Sequence, residues 1–99
     1  MRPNKNRQLI ITGHAYERCE QLGMRKVDIA PLFWESLQEK LPQDLRKYAA
    51  RTHQKYHELT RYYRNGTYVM VASETTHKRT GDNIYLLLTV YDQRLDLRG

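Results

Sequence analysis

The stretch Leu59-Thr60-Arg61-Tyr62-Tyr63-Arg64-Asn65-Gly66-Thr67-Tyr68-Val69-Met70-Val71-Ala72-Ser73 decides the fold class. Its side chains alternate with a period of two. β-branched and aromatic residues flank Asn65-Gly66, the strongest short signal for a hairpin turn. Residues 59–64 and 67–73 are therefore expected as two antiparallel strands. A polar loop over 74–83, containing Gly81-Asp82, leads to residues 84–92, which are rich in Leu, Tyr and β-branched side chains and read as a third strand. The C-terminal third is thus expected to be a three-stranded antiparallel meander.

Upstream the period changes to that of a helix. Thr12 is placed to cap a helix starting at Gly13 or His14, and Gly23 to stop it. Ala15, Cys19 and Leu22 form its apolar stripe, while His14, Arg18 and Gln21, with Arg25 just beyond, form a polar one. Asp28 is expected to cap a second helix with Pro31 in its first turn, where a missing N–H costs nothing. Ile29, Leu32, Phe33, Leu37 and Leu41 supply the apolar face, with Trp34 and Ser36 beside it, and Leu41-Pro42 marks the end. Residues 8–12 read as a short strand or an extended lead-in, 43–58 as a loop with some helix, 1–7 as a frayed basic arm and 93–99 as a polar tail. The expected architecture is one α+β domain over 1–99, with two helices packed on one face of the sheet.

Composition narrows the function. The 99 residues carry 17 Lys plus Arg against 11 Asp plus Glu, a formal charge of +6. That length supports one hydrophobic core. The single Cys19 excludes an internal disulfide and a cysteine-based zinc cluster; on the apolar stripe it reads as an inert core residue. His53 and His57 stand four apart, but no third ligand is placed by spacing, so neither metal nor cofactor is expected. His77, in the basic run His77-Lys78-Arg79, reads as a solvated turn residue. No signal peptide and no apolar run of membrane-spanning length is visible, so a cytoplasmic protein is expected. Eight of the ten aromatic residues are Tyr, which suggests Tyr on or near the surface.

The charge is local. Arg46, Lys47, Arg51, Lys55, Arg61 and Arg64 stand against only Glu58 in residues 46–64, a net of +5. Tyr48, Tyr56, Tyr62 and Tyr63 are interleaved with them. Cations neutralise phosphates and release counterions, and Tyr rings stack on unpaired bases, so a surface for single-stranded RNA or DNA is expected, and a partner with an acidic surface would also be served by it. The competing reading is a solvated strand edge guarded by charge.

His14 and Arg18 fall one helical turn apart on one face. An imidazole exchanges protons near neutral pH, and a guanidinium holds a phosphate and the charge that develops on it. Together they suit metal-independent attack of an RNA 2′-OH on the adjacent phosphorus. An ordinary solvent-facing His and an ion-paired Arg fit the same spacing.

The run Gly13-His14-Ala15-Tyr16-Glu17-Arg18-Cys19, with Gly23-Met24 and Val27-Asp28-Ile29, resembles the opening of small RelE-superfamily proteins. It is also similar to the RegB-type phage endoribonucleases, in which His is followed by Arg four residues later and then by a second helix. The hairpin at Tyr62-Tyr63-Arg64-Asn65-Gly66 and the strand Leu88-Thr89-Val90-Tyr91 fit the same layout. The resemblance implies a RelE-like fold and, in active members, metal-independent mRNA cleavage. His14 would act as general base or acid and Arg18 as the phosphate clamp. Where the phage enzyme carries a second His in helix 2, this chain has Trp34, so His57 is the candidate to replace it. Arg61 and Arg64 would contact the RNA backbone, with Tyr62 or Tyr63 stacking on bases. A phage or toxin–antitoxin origin is implied, with an antitoxin or host protein as a further partner. Two rivals stand beside this expectation: a non-catalytic nucleic-acid-binding regulator on the same fold, and a phage protein that inhibits a host protein.

Overall fold

The computed structural model describes residues 1–39 and 60–96, with side chains through Arg94. Strands β1 (Gln8–Ile11), β2 (Leu37–Glu39), β3 (Thr60–Asn65), β4 (Tyr68–Thr76) and β5 (Asn83–Asp92) form one sheet in the order β1-β5-β4-β3-β2. Helices α1 (Gly13–Gln21) and α2 (Lys26–Trp34) lie between β1 and β2, and the short α3 (Gln93–Asp96) follows β5. The protein is α+β, and the antiparallel β3-β4-β5 meander is present. The expected three-stranded sheet is, however, a five-stranded mixed one. β2 adds antiparallel to β3, and β1 adds parallel to β5. No described helix is long and apolar enough to cross a membrane.

α1 forms where its end signals put it. The Thr12 hydroxyl accepts from the Ala15 N–H (3.1 Å) and donates to the Leu87 carbonyl (2.8 Å), so one residue caps the helix and ties it to β5. At the other end Gly23 takes φ 75°. Its N–H bonds the Glu20 carbonyl and that of Met24 bonds the Cys19 carbonyl, the Schellman pattern that a left-handed residue permits.

α2 departs from expectation at both ends. Its N-cap is Arg25, not Asp28. Asp28 lies in the first turn, where its carboxylate holds the Arg25 guanidinium (3.0 Å) and meets the positive end of the helix dipole. Pro31 consequently falls in the interior and takes a bond from the Val27 carbonyl. The helix stops at Trp34, well before Leu41. Buried Ser36 gives both its N–H and its hydroxyl to the Phe33 carbonyl, which closes the helix. Leu37 then opens β2, pairs with Arg64 of β3 and is 55% exposed, rather than facing the core. Leu41 lies outside the described residues.

The β3–β4 turn is shifted by one residue from the expected position. Asn65 pairs with Tyr68, leaving Gly66-Thr67 as the loop. Gly66 takes φ 62°, as the first central position of a type II′ turn demands. Asn65 is thereby free to donate its side-chain amide to the Leu32 carbonyl (3.1 Å), which ties the hairpin to α2.

The main core lies between the helices and the sheet. Ala15, Cys19, Ile29 and Phe33 pack on Tyr63, Met70, Ala72, Tyr85, Leu87 and Val90. Phe33 is the hub: its ring meets those of Tyr63, Tyr85 and Trp34 edge-on at 5.1, 5.2 and 5.3 Å. A second buried cluster, Val69, Val71, Leu88 and Tyr91, lies on the other face of the sheet.

Residues 1–7 are a strap rather than a frayed arm. Pro3 is buried. The Met1 carbonyl accepts from Gln38 in β2 (2.7 Å), and the Asn4 N–H donates to the Tyr85 hydroxyl (2.7 Å). Arg7 donates to the Thr75 and Ile84 carbonyls (3.2 and 2.9 Å). The segment therefore runs from β1 at one sheet edge to β2 at the other.

Candidate nucleic-acid interface

The α1–β5 border brings together the residues with the most chemistry. β1 pairs only with residues 84–87 of β5, which continues to Asp92. Past that point the Leu88 and Val90 carbonyls accept from side chains of Thr12 and α1 instead. Thr12 serves Leu87 and also Leu88 (3.3 Å). Arg18 reaches over the gap: its Nε donates to the Val90 carbonyl (3.2 Å), and its guanidinium carbon lies 6.0 Å from the centre of the Tyr91 ring. Nη1 also donates to Gln21 Oε1 (3.0 Å). Arg18 is thus a staple between α1 and the sheet, with its guanidinium fixed in one orientation. His14 is exposed one turn earlier.

At the end of β5, Asp92 is buried, yet it holds a cation. Its carboxylate accepts from Arg94 Nη2 (3.0 Å), Nε (3.3 Å) and the backbone N–H (3.0 Å). These bonds to Arg94 keep the Asp92 carboxyl below its ordinary range despite burial, with the Thr67 hydroxyl assisting. The Arg94 side chain is 66% exposed. The pair is thus a sunken acid fixing a surface cation. No local sequence pattern marks Arg94, because its anchor depends on the burial of the sheet end.

The basic, Tyr-rich segment is only partly within view. Arg46, Lys47, Arg51, Lys55, His53 and His57 lie outside the described residues. Arg61 is exposed, with Nη1 on the Thr60 carbonyl (3.3 Å). Tyr62 is half-buried, and that burial pushes its phenol up. Tyr63 is not a surface ring for stacking: it is 1% exposed in the core, and burial, then Tyr85, hold its phenol far above the usual range. Arg64 is committed to Glu39 (2.8 Å) and to Gln93, so its charge is largely offset. The Tyr excess in the composition is therefore partly a core feature, since Tyr85 and Tyr91 are buried too.

Trp34, at the position where the resemblance calls for a second His, packs against Phe33 and Tyr85 (5.3 and 5.9 Å). His77 organises the β4–β5 turn, its Nδ1 accepting from the N–H groups of Arg79 (3.2 Å) and Thr80 (3.4 Å). Among the described residues no group of three His, Cys, Asp or Glu side chains could hold a metal ion. Cys19 is buried in the core, and burial pushes its thiol up to about 11, so it is a poor nucleophile at neutral pH. Comparison of the chain with family models, with curated proteins and with solved structures gave no match.

Proposed function

We propose that the protein binds single-stranded RNA, on a RelE-like fold, in the cytoplasm of a bacterium or of a phage-infected host. The observation that carries this reading is a pair of guanidinium groups held from behind, one at the border of α1 and β5 and one at the end of β5. Arg18 rests on the Val90 carbonyl and Arg94 on the buried Asp92. A cation already fixed in place loses less side-chain entropy when it meets a phosphate. Leaving aside Arg64, which is paired with Glu39, residues 46–63 carry five Lys and Arg against Glu58, a net charge of +4 for backbone contact.

Binding is placed ahead of cleavage because two positions that the resemblance assigns to chemistry have packing roles here. Arg18 braces the sheet, and Trp34 belongs to the aromatic core. Metal-independent mRNA cleavage is the second reading, favoured by the exposure of His14 one turn from Arg18. His14 would take the 2′-OH proton, Arg18 would hold the phosphate, and His57 would protonate the leaving oxygen. One experiment separates the two: incubate labelled mRNA with protein in EDTA, and follow retention on a filter and fragment length together. Retention with intact RNA supports binding alone. Fragments ending in 2′,3′-cyclic phosphate that vanish in His14→Ala support the nuclease. No retention at low salt, with RNA intact, refutes both.

A further inference from the structure

Away from the α1–β5 border, an open groove of about 400 Å³ separates α1 from α2. Met24 is partly exposed at its floor, above the buried Cys19 and Ile29. Tyr16, Glu17 and Glu20 form the α1 wall, and Lys26 stands on the α2 side with its ammonium 5.4 Å from the centre of the Tyr16 ring. Tyr16 is 37% exposed, and Val27, next to Lys26, is 72% exposed.

The charges at this rim are unusual for the chain. The protein carries +6, yet Glu17 and Glu20 are exposed here and make no ion pair among the described residues. They stand at i, i+3, where like charges repel. Glu20 also lies in the last turn of α1, where the helix dipole favours a cation over an anion. Within the isolated chain both placements are mildly unfavourable. A cation supplied from outside would relieve both, and the partly exposed Met24 and Tyr16 would take the hydrophobic side chains beside it. Nucleic acid is repelled by the same carboxylates, so this surface is separate from the one assigned to RNA.

We propose that the α1–α2 groove docks a segment of a partner protein that presents Arg or Lys along an apolar strip. The partner's apolar side chains sit on Met24 and the Tyr16 ring, and its cations face Glu17 and Glu20.

The test uses two fluorescein-labelled amphipathic peptides of equal length, each with a Leu stripe, one flanked by Arg and the other by Glu. Fluorescence anisotropy is read with the whole chain. The Arg peptide is expected to bind and the Glu peptide not to bind at this groove. That contrast is diagnostic because the net charge of the protein acts the other way. The double variant Glu17→Gln/Glu20→Gln is expected to weaken the Arg peptide by roughly 2- to 30-fold, the range for two exposed ion pairs. Both side chains are exposed, so this variant is expected to fold, as circular dichroism would verify. Met24→Arg, which puts a cation on the floor, is expected to weaken binding further. Absence of binding by the Arg peptide, or binding unchanged in the double variant, overturns the proposal. So does self-association of the chain that the double variant abolishes, because the occupant would then be a second copy.

Discussion

Replacing Arg18 by Met keeps the length and apolar stem of the side chain and removes its donors. The Val90 carbonyl then loses the Nε bond, and Val90 is fully buried. A hydrogen bond from a charged group is worth about 1.5–3 kcal/mol net, and an orphaned buried acceptor costs a similar amount, so these are two views of one loss. The Tyr91 contact, at 6.0 Å, is at the outer limit for a cation over a ring and adds at most about 0.5 kcal/mol. The exposed bond to Gln21 adds little. The expected cost is therefore about 2–3 kcal/mol. In a domain of this size each kcal/mol lowers Tm by roughly 4–8 °C, so Arg18→Met should melt about 8–24 °C lower. Thermal unfolding followed by circular dichroism measures this, with Gln21→Ala as a control expected to shift Tm by less than about 4 °C. Arg18→Lys should fall between, since an ammonium cannot reproduce the planar set of donors. A Tm change under about 3 °C for Arg18→Met, together with lost RNA binding, would refute the staple and make Arg18 chiefly a ligand-binding residue.

Four further outcomes follow from the packing. Phe33→Ala removes the hub of the aromatic cluster and should cost about 3–5 kcal/mol in urea unfolding, whereas Tyr63→Phe should leave RNA affinity unchanged because that ring is inside the core. The Asp92 carboxyl is held below its ordinary range in the folded state, so its contribution is present above pH about 4 and is lost as pH falls through the folded value. Asp92→Asn should flatten that acid limb of the stability curve. The Cys19 thiol has the opposite sign of linkage: raised from 9.0 to about 11, it favours the fold below pH 9.0 and loses that advantage as pH rises toward about 11. Alkylation of the native protein at neutral pH should accordingly be slow and should accelerate on unfolding in urea.

What was legible in the sequence was local. The caps of α1 depend on Thr12 and Gly23 alone, and both act as their chemistry requires. The alternation through β3, β4 and β5 is likewise local, and the meander follows from it. The end of α2 was hidden because Leu37 and Leu41 continue a helical spacing, while the forces that break it are not periodic. Ser36 turns back on Phe33, and Leu37 finds a partner at Arg64, far along the chain. The hairpin register slipped by one for a similar reason: Asn65 is needed at the Leu32 carbonyl, so Gly66 alone supplies the positive φ. Of the candidate site, the shared helical face of His14 and Arg18 could be read from spacing. The commitment of Arg18 to Val90 could not, because it arises from β1 being shorter than β5. The residues read as a basic surface divide in the fold: Arg61 stays exposed, Arg64 is paired with Glu39, and Tyr63 enters the core.

The salt dependence of RNA affinity tests RNA binding most directly. Anisotropy of a labelled single-stranded RNA, titrated at several salt concentrations, gives the slope of log affinity against log salt. Three to six phosphate contacts predict a slope of about −2 to −4. A flat slope, or no binding at the lowest salt, would contradict the account.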